Sequence, residues 1–382
     1  MDYYYVEITK NQMPKYTGLP CGDVIEVIRN ENETLLIIAD GKGSGIKANI
    51  AANTCVSRIA GLLSRGFSLR NCCEKVAATM ENAIKEDLPY SVFLIARFKS
   101  DGYVNILSYE MPPSIIISNR QANILTQRKI ISEISIISES SCYLKPHEGI
   151  ILYSDGVTQA GLGVNFDYGW GVDNICKFIN SNLHKKATIK QLPKIITDKS
   201  FELSDLKRSD DVTTISASLR LGVIVNLLTG PPEDKSLTKE KLMTFLNSRG
   251  IKLICGATSA RLVADILKKP VKIENSSYDG ITPPASTIDG INLVTEGLVT
   301  LNQLFNIMDE DREDMDDANP VTQLYDYLMI ADRVNIFMGS AINPANNDIS
   351  YKQRGLIPRA KIISLISQKL TEIGKLVVIN RI

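Results

Sequence analysis

The stretch LLIIADGKGSGIK, residues Leu35–Lys47, joins a wholly apolar run to a glycine-rich turn. The run Leu35–Ala39 offers no polar side chain to either face, which predicts a strand buried on both sides. Asp40 and Gly41 follow it, so a carboxylate stands at the tip of a rigid element, beside a residue that lets a ligand approach the backbone closely. By itself, an Asp-Gly pair after a strand is typical of a turn.

The segments on both sides of this stretch predict a layered β domain. Val24–Ile28 and Thr34–Ala39 flank a polar, turn-like segment, as in a β-hairpin. Apolar residues recur at helical spacing over Ile46–Arg65 and Leu69–Lys85. Strands outnumber helices from there to Leu219, and these two helices are consecutive. We therefore expect stacked antiparallel sheets with helices outside.

The pattern changes after Leu219. A breaker cluster follows at Gly230–Asp234, and strands and helices then alternate, which predicts a smaller α/β domain with a partly parallel sheet. We place the boundary near residue 228, giving domains 1–228 and 229–382. Asn226–Pro232 is interpreted as a stiff junction because of its paired prolines. The acidic run Met308–Asp317 is interpreted as a solvated loop or helix start.

Composition limits the classes of function. The 382 residues are 44% hydrophobic, with 43 basic and 43 acidic side chains, and this balance argues against nucleic acid or an anionic membrane as a partner. Without a spanning apolar run or a signal peptide, we expect a soluble cytoplasmic protein. The seven cysteines are never spaced C-x-x-C and predict reduced thiols. The only histidines are His147 and His184, so any metal must be held by oxygen.

Carboxylates recur in one local setting, at the end or edge of an apolar strand and mostly before a small or turn-permitting residue. They are Asp23, Asp40, Asp155 and the pair Asp210-Asp211. Carboxylates that converge raise each other's pKa unless a cation lies among them. Oxygen ligands without histidine or cysteine point to magnesium or manganese.

The motifs that contain these carboxylates are Gly22-Asp23, Asp40–Gly45, Tyr153–Thr158 and Asp210–Thr213. With their order and spacing, the region from roughly residue 20 to 219 resembles the metal-dependent serine/threonine phosphatases of the PPM superfamily (protein phosphatase 2C-like), in the bacterial SpoIIE-type branch. The resemblance implies a β-sandwich of two antiparallel sheets flanked by helices. That fold agrees with the strand pattern.

The resemblance also implies a catalytic metal centre with two ions, Mn2+ or Mg2+. Asp40 would bridge them, with Asp23 and the Gly41 carbonyl on one ion, and Asp155 and Asp211 on the other. Such a pair lowers the pKa of a shared water, which attacks phosphorus in line. The catalytic residues implied in this way are Asp40, Asp155 and Asp211.

Asp211 is preferred over Asp210 because successive residues of a strand face opposite sides. Two features depart from the family pattern. Ser108–Pro113 lacks the glycine and histidine that relatives carry there, and Gln159 stands where an acidic residue is common. Neither position is an implied metal ligand, so the departures concern substrate preference.

We therefore expect hydrolysis of phosphoserine or phosphothreonine on a bacterial regulatory protein, modulated by the C-terminal domain. The partner implied is a phosphorylated protein. The alternative is a catalytically weak, phosphatase-like binding or sensor protein in a signalling complex. A phosphate-binding P-loop is not matched, because Ile46 stands before Lys47 and Ala48 follows it.

The C-terminal domain carries three loops rich in glycine, serine, threonine and asparagine: Ile254–Ala260, Pro283–Pro284 with Gly290–Gly297, and Met338–Pro344. They are either ordinary turns or a small-molecule pocket at one sheet edge. The domain is thus a candidate sensor or substrate-docking module. A homodimer is left open.

Overall fold

The computed structural model describes residues 3–132, 134–234, 236–273, 285–341 and 355–382. The chain forms two compact units, Met1–Leu221 and Gly222–Ile382. The strands of the first unit are β1 (Tyr4–Met13), β2 (Asp23–Arg29), β3 (Glu33–Gly41), β4 (Ser91–Lys99), β5 (Tyr103–Tyr109), β6 (Ile115–Ser118), β7 (Gln121–Ile124), β8 (Arg128–Ile131), β9 (Ile136–Tyr143), β10 (Gly149–Tyr153) and β11 (Val212–Leu221). Its helices are α1 (Ile46–Ser64), α2 (Leu69–Lys85), the single turn α3 (Asp155–Thr158), α4 (Val172–His184) and α5 (Leu192–Leu203).

The first unit is built from two sheets. One has the strand order β2-β3-β4-β5-β9-β8 and the other β1-β11-β10-β6-β7. Neighbouring strands are antiparallel in both, as hairpins and meanders require. The antiparallel sandwich expected from the sequence is confirmed.

The central strand β3 explains the layers of this unit. Leu36 and Ile38 pack in a core with residues of both sheets, including Leu152 of β10. Ile37 and Ala39 point the other way and pack under α1 and α2. A third core lies between α4, α5 and the second sheet. The order is therefore helices, sheet, sheet, helices, and the apolar run before Asp40 is buried on both faces.

The second unit has the strands β12 (Ile224–Thr229), β13 (Ile251–Cys255), β14 (Lys272–Ile273), β15 (Ser286–Thr287), β16 (Leu293–Thr295), β17 (Arg333–Met338) and β18 (Leu376–Arg381). Its helices within the described residues are α6 (Thr238–Asn247), α7 (Ala257–Leu267), α8 (Leu298–Ile307), α9 (Pro320–Ile330) and α10 (Arg359–Glu372).

These strands form one sheet in the order β14-β15-β16-β13-β12-β17-β18. The five from β16 to β18 are parallel, and the short β14 and β15 are antiparallel. Helices α8, α9 and α10 cover one face and α6 and α7 the other. The partly parallel sheet predicted for this region is confirmed.

The boundary between the units differs from the expected residue 228. That position lies inside β12, whose Leu227 and Leu228 are fully buried in the second sheet. The segment Asn226–Pro232 is therefore a central strand and its following loop, not a junction. The acidic run is at the surface, where Arg312 bonds Asp326 and Asp317 at 2.6 and 2.5 Å. Pro283–Pro284 and the end of Met338–Pro344 lie outside the described residues.

Candidate metal centre

Two of the sequence-selected carboxylates face each other across a hairpin. Asp23 begins β2 and Asp40 lies near the end of β3, and the antiparallel register pairs them directly. Side chains opposite each other on antiparallel strands have Cβ atoms about 5 Å apart. The Gly41 N–H donates to the Gly22 carbonyl at 3.3 Å and closes this end of the hairpin.

Asp211 reaches the same end from the second sheet. A Cβ built on Gly22 would lie 2.7 Å from Asp211 Oδ2, so any larger residue there would displace this carboxylate from its place beside Asp23. The Lys15 backbone N–H donates to Asp211 Oδ1 at 2.9 Å and fixes its orientation. Asp211 is 4% exposed, and Oδ2 has no hydrogen-bond partner among the described residues.

Asp155 opens the single turn α3, directly after β10. A Cβ on its neighbour Gly156 would lie 2.1 Å from the Asp211 carbonyl oxygen, so the two segments touch. Two hydrogen bonds join these segments. The Thr213 backbone N–H donates to Ser154 Oγ at 3.0 Å, and the Ser154 backbone N–H donates to the Thr213 carbonyl at 3.0 Å. The Gln159 amide donates to Asp155 Oδ2 at 2.8 Å.

The sequence argument preferred Asp211 to Asp210 as a metal ligand because of strand alternation, and that reason is wrong. Strand alternation does not apply, because β11 begins at Val212, after both residues. The difference lies in their partners: Asp210 Oδ1 accepts the Asp211 backbone N–H at 2.9 Å, whereas Asp211 keeps a buried oxygen without a partner. This difference favours Asp211 as a ligand.

Burial and neighbouring carboxylates together raise the pKa values of two of these aspartates. Burial raises the pKa of Asp40 to about 10, and the carboxylates of Asp23 and Asp155 add to the rise. Burial also raises the pKa of Asp23 to about 7, with Asp211 and Asp155 adding and the hydroxyl dipoles of Thr213 and Ser154 opposing. Negative charge is therefore disfavoured at this end of the sandwich unless a cation offsets it.

One observation indicates that these oxygen donors could bind divalent cations. Both carboxylate oxygens of Asp23 and one of Asp211 are buried without a hydrogen-bond partner in the described part of the chain. Buried polar atoms without partners are rare and call for an explanation such as an ion. Within that part of the chain, no three acidic, histidine or cysteine side chains already stand as a closed ligand group.

The raised pKa of Asp40 gives a prediction for the metal-free protein. Between its ordinary value of 3.8 and about 10, folded Asp40 holds a proton that the unfolded chain has lost. Stability therefore falls as pH rises through this window. We expect the EDTA-treated protein to need more urea to unfold at about pH 6 than at about pH 9.

The measurement can follow Trp170, the chain's single tryptophan, which is 4% exposed in the first unit. Asp40→Asn removes the titrating carboxyl and should reduce the pH dependence, and comparison with this variant cancels the contribution of other groups. Identical pH dependence in the two proteins would contradict the convergence of charge on Asp40.

Comparison of the sequence with models of known protein families identifies the family of this chain. The sequence model of the family described as stage II sporulation protein E (SpoIIE) matches residues 30–220, half of the 382-residue chain. The chain belongs to the SpoIIE family. The resemblance to SpoIIE-type, protein phosphatase 2C-like domains is thus confirmed. Asp40, Asp155 and Asp211 lie within the match, and Asp23 lies just before it.

Solved structures give more distant likenesses. The phosphatase domain with a regulatory-domain fragment of SpoIIE from Bacillus subtilis is 18% identical, with 58% of this chain and 63% of that chain covered and a TM-score of 0.49. This chain thus spans less than two thirds of that SpoIIE chain. The RsbU and RsbW domains of a Mycobacterium tuberculosis protein are 13% identical, with 69% and 70% covered and a TM-score of 0.48.

A third structure is RsbX in complex with magnesium, 18% identical, with 56% of this chain and 99% of that chain covered and a TM-score of 0.40. At these scores the family assignment rests on the SpoIIE sequence match and not on the neighbours. No curated protein matches the chain. Among the described residues, no helix combines the length and apolarity needed to cross a membrane.

The contacts that sequence reasoning missed are those that hold the carboxylates in place. Gln159 departs from the family pattern, and its amide orients Asp155. The Lys15 contact uses the backbone N–H, so no residue type could have signalled it. Thr213 could have been suspected from its place directly after Asp211-Val212.

Proposed function

We propose that the first unit hydrolyses phosphoserine and phosphothreonine on a bacterial regulatory protein, with two Mn2+ or Mg2+ ions. The observation that carries the proposal is the group of buried, unpartnered oxygens of Asp23 and Asp211 beside Asp40. Without cations this arrangement only destabilises the fold. With cations it becomes a site for phosphate chemistry.

In this proposal the carboxylates of Asp40, Asp23, Asp155 and Asp211 and the Gly41 carbonyl would hold the two ions, with Asp40 central among them. When bound, such ions supply a hydroxide near neutral pH and neutralise charge on the phosphoryl group. The chain's own part is orientation. Gln159 and the Lys15 N–H each engage one oxygen of a carboxylate and leave the other oxygen available.

An exposed apolar surface beside the site supports a protein substrate. Ile46 and Ile50, one turn apart at the start of α1, are 57% and 60% exposed. Tyr16 and Leu19 are exposed nearby, and both come within 4.0 Å of a Cβ built on Gly45. Contiguous apolar surface is typical of protein contacts.

Metal removal tests the activity. Full-length protein treated with EDTA should lose hydrolysis of both a phosphoserine peptide and a chromogenic aryl phosphate, and added Mn2+ or Mg2+ should restore it. EDTA preloaded with the same ion, Mn2+ or Mg2+, is the control for effects of the chelator itself. Activity that persists after full chelation would contradict the two-metal proposal.

The rival is a catalytically weak, phosphatase-like binding or sensor protein. It is favoured by the lack of a closed ligand group within the described residues. Titration calorimetry with Mn2+ separates the two: weak or absent binding together with absent turnover would favour the rival. Modulation by the second unit is a further part of the proposal, and a ligand of that unit should change the rate on the aryl phosphate, which needs no docking.

A further inference from the structure

The second unit has a doubly wound strand order with one topological switch point. Its parallel strands follow the order β16-β13-β12-β17-β18, so successive strands are added first on one side of β12 and then on the other. In such sheets, ligands bind in the crevice outside the carboxyl ends of the strands, at the switch point. Here that point lies between β12 and β17, after Thr229 and Met338.

Two glycines make the switch point compact. A Cβ on Gly339 would lie 2.2 Å from the Pro231 carbonyl oxygen, and the Gly339 N–H donates to the Thr229 carbonyl at 2.9 Å. Gly230 has φ +76°, and a Cβ there would lie 2.1 Å from Arg359 Nη1. The Arg359 guanidinium therefore rests directly on the loop that follows β12.

Arg359 is a half-buried cation that forms no ion pair within the described part of the chain. It is the first residue of α10, and its hydrogen bond in the described part of the chain is a long one, from Nη1 to the Ala341 carbonyl at 3.4 Å. No carboxylate of the described residues forms an ion pair with it. Burial lowers the pKa of Arg359, against the opposing effect of Cys255 and Glu296. Most of the five guanidinium donors therefore lack a partner among the described residues.

Two buried hydroxyls at the same edge have no hydrogen-bond partner among the residues that the structure describes. Thr229 ends β12 and Ser259 lies in the first turn of α7, and both are fully buried with no hydrogen-bond partner for the hydroxyl among the described residues. The position of a Cβ on Gly256 would be 3.9 Å from both Ser259 Oγ and Gly297 Cα. Ser259 thus faces the gap between the first turns of α7 and α8.

We propose that this edge of the second unit binds a phosphate-bearing small molecule, with Arg359 as the cation and the Ser259 and Thr229 hydroxyls as donors. Arginine matches phosphate geometry, and helix N-termini such as that of α7, which has no side-chain cap, favour anions. Glu296 uses Oε2 to accept the Val299 N–H at 3.1 Å. Its other oxygen can accept a hydroxyl of the ligand. The site is independent of the phosphatase proposal.

Equilibrium dialysis of radiolabelled inorganic phosphate against the full-length, EDTA-treated protein tests the site. Without metal, the carboxylates of the first unit repel phosphate, so binding reports on the second unit. We expect saturable binding that Arg359→Gln weakens about tenfold or more. Arg261→Gln is the matched control, since it removes the same charge from an exposed position of α7 and should leave binding unchanged.

A second variant tests the site in case Arg359→Gln fails to fold. Ser259→Ala removes a hydroxyl that has no partner, so the fold should be preserved while phosphate binds about threefold more weakly. Absence of saturable binding, or equal affinity in wild type and both variants, would overturn the proposal. Malonate that competes as well as phosphate would assign the site to carboxylates and would also overturn it.

Discussion

Asp40→Asn is expected to lower kcat on a phosphoserine peptide by about 1,000-fold. Asp40 lies opposite Asp23, and burial together with Asp23 and Asp155 makes it the position where negative charge is most disfavoured without cations. If Asp40 is the ligand shared by two ions, as we propose, a neutral amide there would weaken both sites at once. Asp155→Asn and Asp211→Asn should each cost less, because in the same proposal each would remove charge from one ion only.

The control is Asp101→Asn, in the exposed turn between β4 and β5. Asp101 Oδ1 accepts the Tyr103 N–H at 2.9 Å, and an asparagine oxygen can accept the same bond. This variant makes the same chemical change and should keep full activity. Rates measured over rising Mn2+ separate weaker metal binding from a defect in turnover. If Asp40→Asn stayed within tenfold of wild type at every concentration, Asp40 would not bridge the ions.

The first unit could be predicted from sequence because local signals agree there. The run before Asp40 is apolar at every position, and both of its faces are buried in the structure. The sequence pattern therefore predicts the observed burial. The hairpin that precedes Asp40 also fixes the register that sets Asp23 opposite it. Local chemistry was sufficient for these features.

Other features depend on contacts that are distant in sequence. The paired prolines predict a junction over Asn226–Pro232, but the structure has the strand Ile224–Thr229 there, followed by the proline loop. What makes it a central strand is pairing with β13 and β17, which no local signal reports. Arg359 is a similar case. Its place on Gly230 depends on the docking of α10, which is 129 residues away.

The close packing of α1 on the hairpin can be tested at Gly41. Its φ is not positive, so the requirement is for space alone. A Cβ there would lie 2.0 Å from the Ala48 carbonyl oxygen and 2.6 Å from its carbon, and a backbone atom cannot rotate away. Gly41→Ala should therefore push the first turn of α1 off β3 and destabilise the first unit by about 3 kcal/mol.

The same helix supplies the control. Gly61 lies within α1 with no atom within 4 Å of a built Cβ, so Gly61→Ala should stabilise the unit by about 0.5–1 kcal/mol. Urea unfolding of the metal-free protein, followed by Trp170 fluorescence, measures both changes with opposite signs expected. Ala48 also packs 3.1 Å from a Cβ built on Gly22, beside Asp23. Displacement of α1 in Gly41→Ala should thus raise the Mn2+ concentration needed for activity. If Gly41→Ala were as stable as the wild type, α1 would not rest on the hairpin.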